Sequence, residues 1–223
     1  ILTIIYGVFM EKINNVYCIA GMMAYSNSYL IDNSDNDSDF DYILVDTGIG
    51  TNKDYLSSQL SEIGLGLDDI DLVVNTHCHY DHVGGNHLFP NAKIAISEID
   101  GDSLEDLENP IPICFVPTRE IKRRDVDIRL KEGDRIAGFE VLATPGHTAG
   151  GISLFDGSIL ISGDTIFSHG GVGRMDIGGN MEDMKNSLDK LSKLDVEYLL
   201  SGHGPWVSNA NEHIKLSRGN FYF

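Results

Sequence analysis

Apolar residues in this chain gather in short runs, and several of these runs end on a residue able to bind metal. IDLVVNTH ends at His77, FEVLATPGH at His147, SILISGD at Asp164 and EYLLSGH at His203. Unbroken Val, Ile and Leu predict strands covered on both faces. Side chains just past the ends of such strands lie where open α/β sheets place their chemistry. The first quarter predicts a strand meander: residues 2–9, residues 14–20, then SNSYLI and DYILVD on either side of an Asp/Asn/Ser tip at 32–41. Asp35, Asp37 and Asp39 alternate like the start of a calcium loop, but Phe40 stands where that loop needs Gly and Asp46 where it needs Glu, so the segment reads as a polar hairpin tip.

Helical spacing appears between these runs. Leu56, Leu60 and Ile63 follow a capping Thr51 or Asn52 and precede Gly64 as a stop. Met181, Met184, Leu188, Leu191 and Leu194 form a second stripe, with Asn180 as N-cap and acidic Glu182 and Asp183 in the first turn. Both stripes read as core packing. Residues 101–127 carry the weakest pattern and are read as a loop-and-helix insert near the mouth of the site. Strands followed by a helix occur before residue 100 and again after 128, which predicts two layered halves with a cleft between them.

Composition narrows the function. A chain of 223 residues that is 42% hydrophobic fits one large domain, 1–223. Its formal charge of -18 repels phosphate backbones, so nucleic acid is not an expected partner. Lys122, Arg123 and Arg124 read as a solvated face. Cys18, Cys78 and Cys114 are odd in number and lack CxxC spacing, which argues against a disulfide framework and for a reducing, cytoplasmic location. The opening ILTIIYGVFM is short, lacks a basic flank and runs into Glu11 and Lys12, so neither a membrane span nor a signal peptide is expected.

The chemistry lies in a ligand set. His77, His79, Asp81 and His82 are packed into HCHYDH, and His147, Asp164 and His203 stand at strand ends. His77 and His79 alternate and point the same way, with Cys78 between them pointing away. Three protein ligands and an open position satisfy one catalytic zinc, so seven ligands suit two divalent ions sharing a carboxylate. His87, His169 and His213 lack this context and read as ordinary residues, although His169 lies in the loop after Asp164, where it could approach substrate.

In this order the residues resemble the metallo-β-lactamase superfamily, across almost the whole chain and including ILVDTG at 43–48. The resemblance implies a four-layer αβ/βα sandwich, an α/β fold of two mixed sheets flanked by helices with metals at one edge. It implies that His77, His79 and His147 hold a first ion, that Asp81, His82 and His203 hold a second, that Asp164 bridges them and that Asp46 supports the site. The commonest zinc β-lactamases carry Cys where Asp164 stands, and flavodiiron enzymes carry Glu where His79 stands. SGDTIF, GVGRMDIGG and the helix before SGHG look most like the glyoxalase II-like group of thioester hydrolases. Those enzymes grip glutathione with a further C-terminal helical region, whereas 20 residues containing Lys215 and Arg218 follow His203 here.

The expected activity is hydrolysis of a thioester or similar small ester, a small-molecule substrate. A hydroxide bridging two divalent ions is the expected nucleophile, with zinc first and iron or manganese as alternatives. Asp81 is the expected catalytic residue, orienting that nucleophile and handling its proton. Arg174 and Asp176 also resemble a pair in the persulfide dioxygenases, which implies as the rival a single Fe(II) held by His77, His147 and Asp164. For this pair a structural ion pair is the preferred reading over substrate contact. A metal-stabilised binding protein without turnover is a third possibility.

Overall fold

The computed structural model describes residues 10–21, 25–106, 122 and 124–222. Its first half contains β1 (Glu11–Ile13), β2 (Val16–Ile19), β3 (Ser28–Asp32), β4 (Tyr42–Val45), α1 (Lys53–Ser61), β5 (Leu72–Val74), α2 (Tyr80–Val83), β6 (Lys93–Ser97), α3 (Glu98–Glu105) and β7 (Ile128–Leu130). These seven strands form one sheet in chain order. Pairing is antiparallel from β1 to β4 and parallel from β4 to β7. The change follows from the connections, because short turns join antiparallel neighbours whereas parallel neighbours need a crossover.

The second half contains β8 (Arg135–Ile136), β9 (Phe139–Ala143), β10 (Ile152–Phe155), β11 (Ile159–Gly163), α4 (Met181–Leu191), β12 (Tyr198–Ser201), β13 (Val207–Ser208) and α5 (Ala210–Phe221). Its strands make a sheet ordered β13-β12-β11-β10-β9-β8. The crossover through α4 makes β11 and β12 parallel, and the other pairs are antiparallel.

Alternation along the strands builds the layers. Ile43 and Val45 of β4 and Leu72 and Val74 of β5 face inward to Val141, Leu154 and Ile161 of the second sheet. Leu44 and Val73 point the other way, against Leu56 and Leu60 of α1. On the far side, Leu160 and Leu199 meet Met184, Leu188 and Leu191 of α4 and Ile214 of α5. The result is helix, sheet, sheet, helix, the four-layer αβ/βα sandwich. Strands buried on both faces are the cause of the unbroken apolar runs.

Several local expectations meet the structure in altered form. The second meander strand is confined to β2, and Asn14 turns the chain with a φ of 53° after β1, a strand the sequence reading did not separate. Residues 2–9 lie outside the described residues, as does most of the insert read at 101–127. Asn52 does precede α1, but its Oδ1 accepts from Gly50 N at 3.0 Å and no side-chain bond caps the helix. Gly64 ends that helix with a φ of 81°, its N–H donating to the Ser61 carbonyl. Met181 is 68% exposed, because it is the first helical residue and lies outside the buried cluster. Arg124 is not a solvated charge: its guanidinium donates to the Phe89 and Ala92 carbonyls at 2.8 and 3.0 Å, a two-acceptor arrangement that suits its planar fork. No helix among the described residues is long and apolar enough to cross a membrane.

Asn180 caps α4 as the spacing predicts, its Oδ1 accepting from Glu182 N at 2.8 Å and Asp183 N at 3.1 Å. Asn180→Ala is expected to cost about 1 kcal/mol of stability, read as a lower denaturant midpoint with an unchanged slope.

Candidate metal centre

Four strands deliver the seven residues to one edge of the sandwich. His77 follows β5 through Asn75 and Thr76, and His79 stands at the start of α2, which carries Asp81 and His82. His147 lies in the loop after β9, Asp164 directly follows β11, and His203 follows β12. The short α2 is anchored from below. Asn75 and Asn86 exchange side-chain amide bonds, Nδ2 of Asn86 donating at 2.7 Å and Nδ2 of Asn75 at 3.2 Å. The Thr47 hydroxyl lies 2.9 Å from both the His82 carbonyl and Asn86 Oδ1.

All seven predicted positions come together. Three sets have ligand atoms within 4.8 Å of one another: His77 with His79 and His147, His77 with His82 and Asp164, and Asp81 with His82 and His203. Asp164 lies between them. Its Oδ1 is 3.4 Å from His82 Nε2, and its Oδ2 is 3.4 Å from His147 Nε2 and 3.5 Å from His203 Nε2. Cys78 points away into a cluster with Val83, Ile96 and Leu104, as alternation predicts. His169 turns from the site, and its backbone N–H donates to His213 Nδ1 of α5 at 2.9 Å. Arg174 and Asp176 form a two-bond ion pair, Nε donating to Oδ1 at 2.6 Å and Nη2 to Oδ2.

The outer nitrogens of the imidazoles fix which way their lone pairs face. His79 Nε2 meets the Ile177 carbonyl at 3.2 Å and His147 Nδ1 meets the Arg174 carbonyl at 2.6 Å. A carbonyl only accepts, so both of these nitrogens carry hydrogen. That leaves His79 Nδ1 and His147 Nε2 as bare lone pairs facing each other at 2.8 Å. His82 Nδ1 donates to Asp46 Oδ2 at 2.7 Å, turning its Nε2 inward. Thr76 Oγ1 donates to the same carboxylate at 2.7 Å and can accept from His77 Nδ1 at 3.1 Å. Among the described residues, His77 Nε2 and Asp164 Oδ1 are then buried without a hydrogen-bond partner. Asp46 manages this with a left-handed φ of 59°, a conformation that Asp tolerates better than most residues.

Facing lone pairs in a buried space need a cation between them. A proton is a poor choice, because burial, reinforced by His147, holds His79 down at about 4. Burial likewise holds His77 well below its ordinary range and lowers His147. His82 is the exception. Burial opposes its charge, but Asp164, Asp46 and Asp81 outweigh that and raise it. Asp164 is itself held far below the usual carboxylate range, since His82, His203 and His147 prevail over its burial. Imidazole and carboxylate donors around two orphaned, buried ligand atoms fit divalent metal.

Sequence reasoning missed the residues that hold the His203 loop. Tyr29 OH donates to the Ser201 carbonyl at 2.6 Å, and Asn27 Nδ2 reaches the Ser201 and Gly204 carbonyls at 2.9 and 2.8 Å. Asn27 immediately precedes β3 and Tyr29 lies within it, and neither segment carries a sequence signal that names its partner. Gly202 is required by proximity, because a Cβ there would meet Asp164 Oδ1 at 2.1 Å and His82 Cε1 at 2.8 Å.

The depressed imidazoles make the metal-free protein acid-sensitive. Between pH 6.5 and about 4, the unfolded chain takes up protons that His77, His79 and His147 refuse in the fold. Their stabilising contribution is complete above 6.5 and is lost as pH falls through that window. The depressed Asp81 and Asp164 act in the same direction at lower pH, while the raised His82 adds stability that is complete below 6.5 and is lost only as pH rises above it. Thermal melts of chelator-treated protein should therefore show Tm falling from pH 6.5 to 4, and a Tm that rose on acidification would contradict this balance.

A family model described as the metallo-beta-lactamase superfamily matches residues 23–203. A probable metallo-hydrolase of Methanocaldococcus jannaschii is 33% identical over 193 residues, covering 80% of this chain and 87% of that protein. A hydroxyacylglutathione hydrolase of Idiomarina loihiensis is 32% identical over 202 residues, covering 88% of this chain and 69% of its own. Among solved structures, that of TTHA1623 in a di-iron-bound form aligns with a TM-score of 0.72 at 26% identity, over 88% of this chain and 96% of that one. Sequence and architecture agree over the stretch that carries the ligand edge, and the chain belongs to the metallo-β-lactamase superfamily.

Proposed function

We propose that this chain hydrolyses a thioester or similar small ester with two divalent ions, zinc first and iron or manganese as alternatives. His77, His79 and His147 would hold one ion, Asp81, His82 and His203 the other, and Asp164 would be shared. The observation that carries this reading is the position of Asp164, whose two oxygens address histidines of different sets. When bound, the ions would supply Lewis acidity for the scissile carbonyl and a water nucleophile active near neutral pH. The similarity to a hydroxyacylglutathione hydrolase favours the thioester. The similarity to a protein solved in a di-iron form keeps iron in contention.

The chain's own groups divide the remaining work. Asp81 is half-open, with Oδ2 3.1 Å from His203 Nε2. Burial works against its charge, yet His82 and His203 keep its carboxyl low, so it stands ready to orient a water and take its proton. A departing thiolate has an ordinary pKa near 8.5 and needs little help from a general acid, which suits a site whose one half-open acid is already ionised. The cavity above the cluster is about 230 Å³, walled by Phe167 and Gly173 and edged by Arg174. That is below the roughly 300–1,000 Å³ typical of drug-sized sites, so an acyl group enters while the carrier stays at the mouth. With a charge of -18 and buried thiols at Cys18 and Cys78, a small-molecule substrate in a reducing cytoplasm is the matching setting, without nucleic acid or membrane.

Elemental analysis of protein purified without added metal should give two ions per chain, and chelation should abolish thioester hydrolysis. Asp81→Asn should lower kcat by about 10²–10⁴-fold. A single iron per chain, with oxygen uptake on a persulfide substrate, would replace the hydrolase by the oxygenase.

A further inference from the structure

Asp100 is an acidic residue buried where acids are costly. It lies in the first turn of α3 with 1% of its surface exposed, and its N–H donates to the N-cap Ser97 Oγ at 3.3 Å. An acid here in a helix ordinarily turns back to the cap or out to water. This one points into the interior, where backbone N–H groups and a hydroxyl donate to it. Oδ2 takes the Cys78 N–H at 2.9 Å and the Thr148 hydroxyl at 2.7 Å, and Oδ1 takes the Gly150 N–H at 2.8 Å.

Those donors belong to two different loops. Cys78 stands between His77 and His79 on the loop after β5, while Thr148 and Gly150 follow His147 on the loop after β9. The first loop leaves one sheet and the second leaves the other. Gly150 is pressed so close that a Cβ would meet Asp100 Oδ1, Asp100 N and Ser97 Oγ, each at 2.5 Å. Burying a carboxylate is costly unless its acceptor sites are filled, and here they are filled by the backbone and hydroxyl groups that flank three of the histidines.

We propose that Asp100 is a positioning residue that staples the two ligand loops together and so sets the approach of His77 and His79 to His147. The inference rests on the reading of those histidines as a metal set. It requires an acceptor-only group, because both oxygens receive N–H donors. An Asn of the same shape must place its NH₂ against either Cys78 N–H or Gly150 N–H, so shape alone cannot rescue the staple.

The test is a competition titration of wild type, Asp100→Asn, Thr148→Val and Asn33→Ala with Zn²⁺ against a chromophoric chelator, with the Co²⁺ absorption spectrum and the metal-free Tm recorded for each. Asn33 is buried in the β3–β4 turn, where its side chain bonds Ser38 and the Phe40 carbonyl, so it controls for lost stability alone. Asp100→Asn should weaken Zn²⁺ binding by about tenfold to a hundredfold and alter the Co²⁺ spectrum. Thr148→Val, which removes the hydroxyl donor, should do so by a smaller factor, and Asn33→Ala should lower Tm with affinity unchanged. An Asp100→Asn protein that lost Tm but kept wild-type affinity and spectrum would overturn the staple. If Asp100→Asn fails to fold, unchanged affinity in Thr148→Val would do the same. A wild-type protein that bound no ion would instead overturn the metal reading beneath it.

Discussion

Two bare lone pairs cannot face each other across 2.8 Å of buried space, and much of this structure is arranged so that His79 Nδ1 and His147 Nε2 do. Each outward nitrogen must first be given an acceptor, since otherwise the rings would turn over or take up protons. The Ile177 and Arg174 carbonyls provide two of these acceptors from a single loop, and Thr76 and Asp46 provide the others from beneath. A hydrogen on each outer nitrogen fixes the tautomer, so the convergence of the inner nitrogens is built in before any ion arrives. Two packed sheets serve this arrangement because the loops that must meet leave different strands at the same edge.

Charge and closeness follow from the same requirement. Asp164 reaches both sides of the cluster only because its neighbours are small. Gly202 leaves room on one face, and Gly173, where a Cβ would meet the Asp164 carbonyl oxygen at 2.1 Å, leaves room on another. A side chain at 202 would push the carboxylate away from His82, and one at 173 would displace the Asp164 backbone and the His147 ring. The favourable electrostatics of Asp164 therefore rest on backbone close approach as much as on the histidines.

The inner layer of this site was legible in the sequence because its chemistry demands particular residue types at fixed positions relative to strand ends. HCHYDH places four donors within one turn, and apolar runs mark the strands that lead to the rest. Asp46 was legible only through resemblance. What could not be read was the layer whose meaning depends on tertiary register. Tyr29 and Ser201 are 172 positions apart, and nothing in either segment signals their bond. Asp100 carries no signal of its role in the sequence, since its donors are supplied by folding. Arg124 looked like part of a charge run, yet two carbonyls of a distant loop capture it. Periodicity was dependable for α4, where packing against a sheet imposes it, and less so at Met181 and Asn52, where the chain is still leaving a loop.

Exposure adds an asymmetry that bears on turnover. The His82 side chain is fully buried, whereas those of Asp81 and His203 are 30% and 29% exposed. A site built only to hold metal gains from closing all its ligands, because a closed shell resists exchange and solvent. Here His77 and His82 are closed in above Thr76 and Asp46, while Asp81 and His203, with the clamped His79 and His147, face the cavity beside Phe167 and Arg174. The open side carries the one half-exposed carboxylate that is not shared between the sets. Fixed donors below and an ionised acid facing a small cavity above make a geometry in which something is meant to enter, react and leave, and that argues for catalysis over metal storage or a passive structural ion.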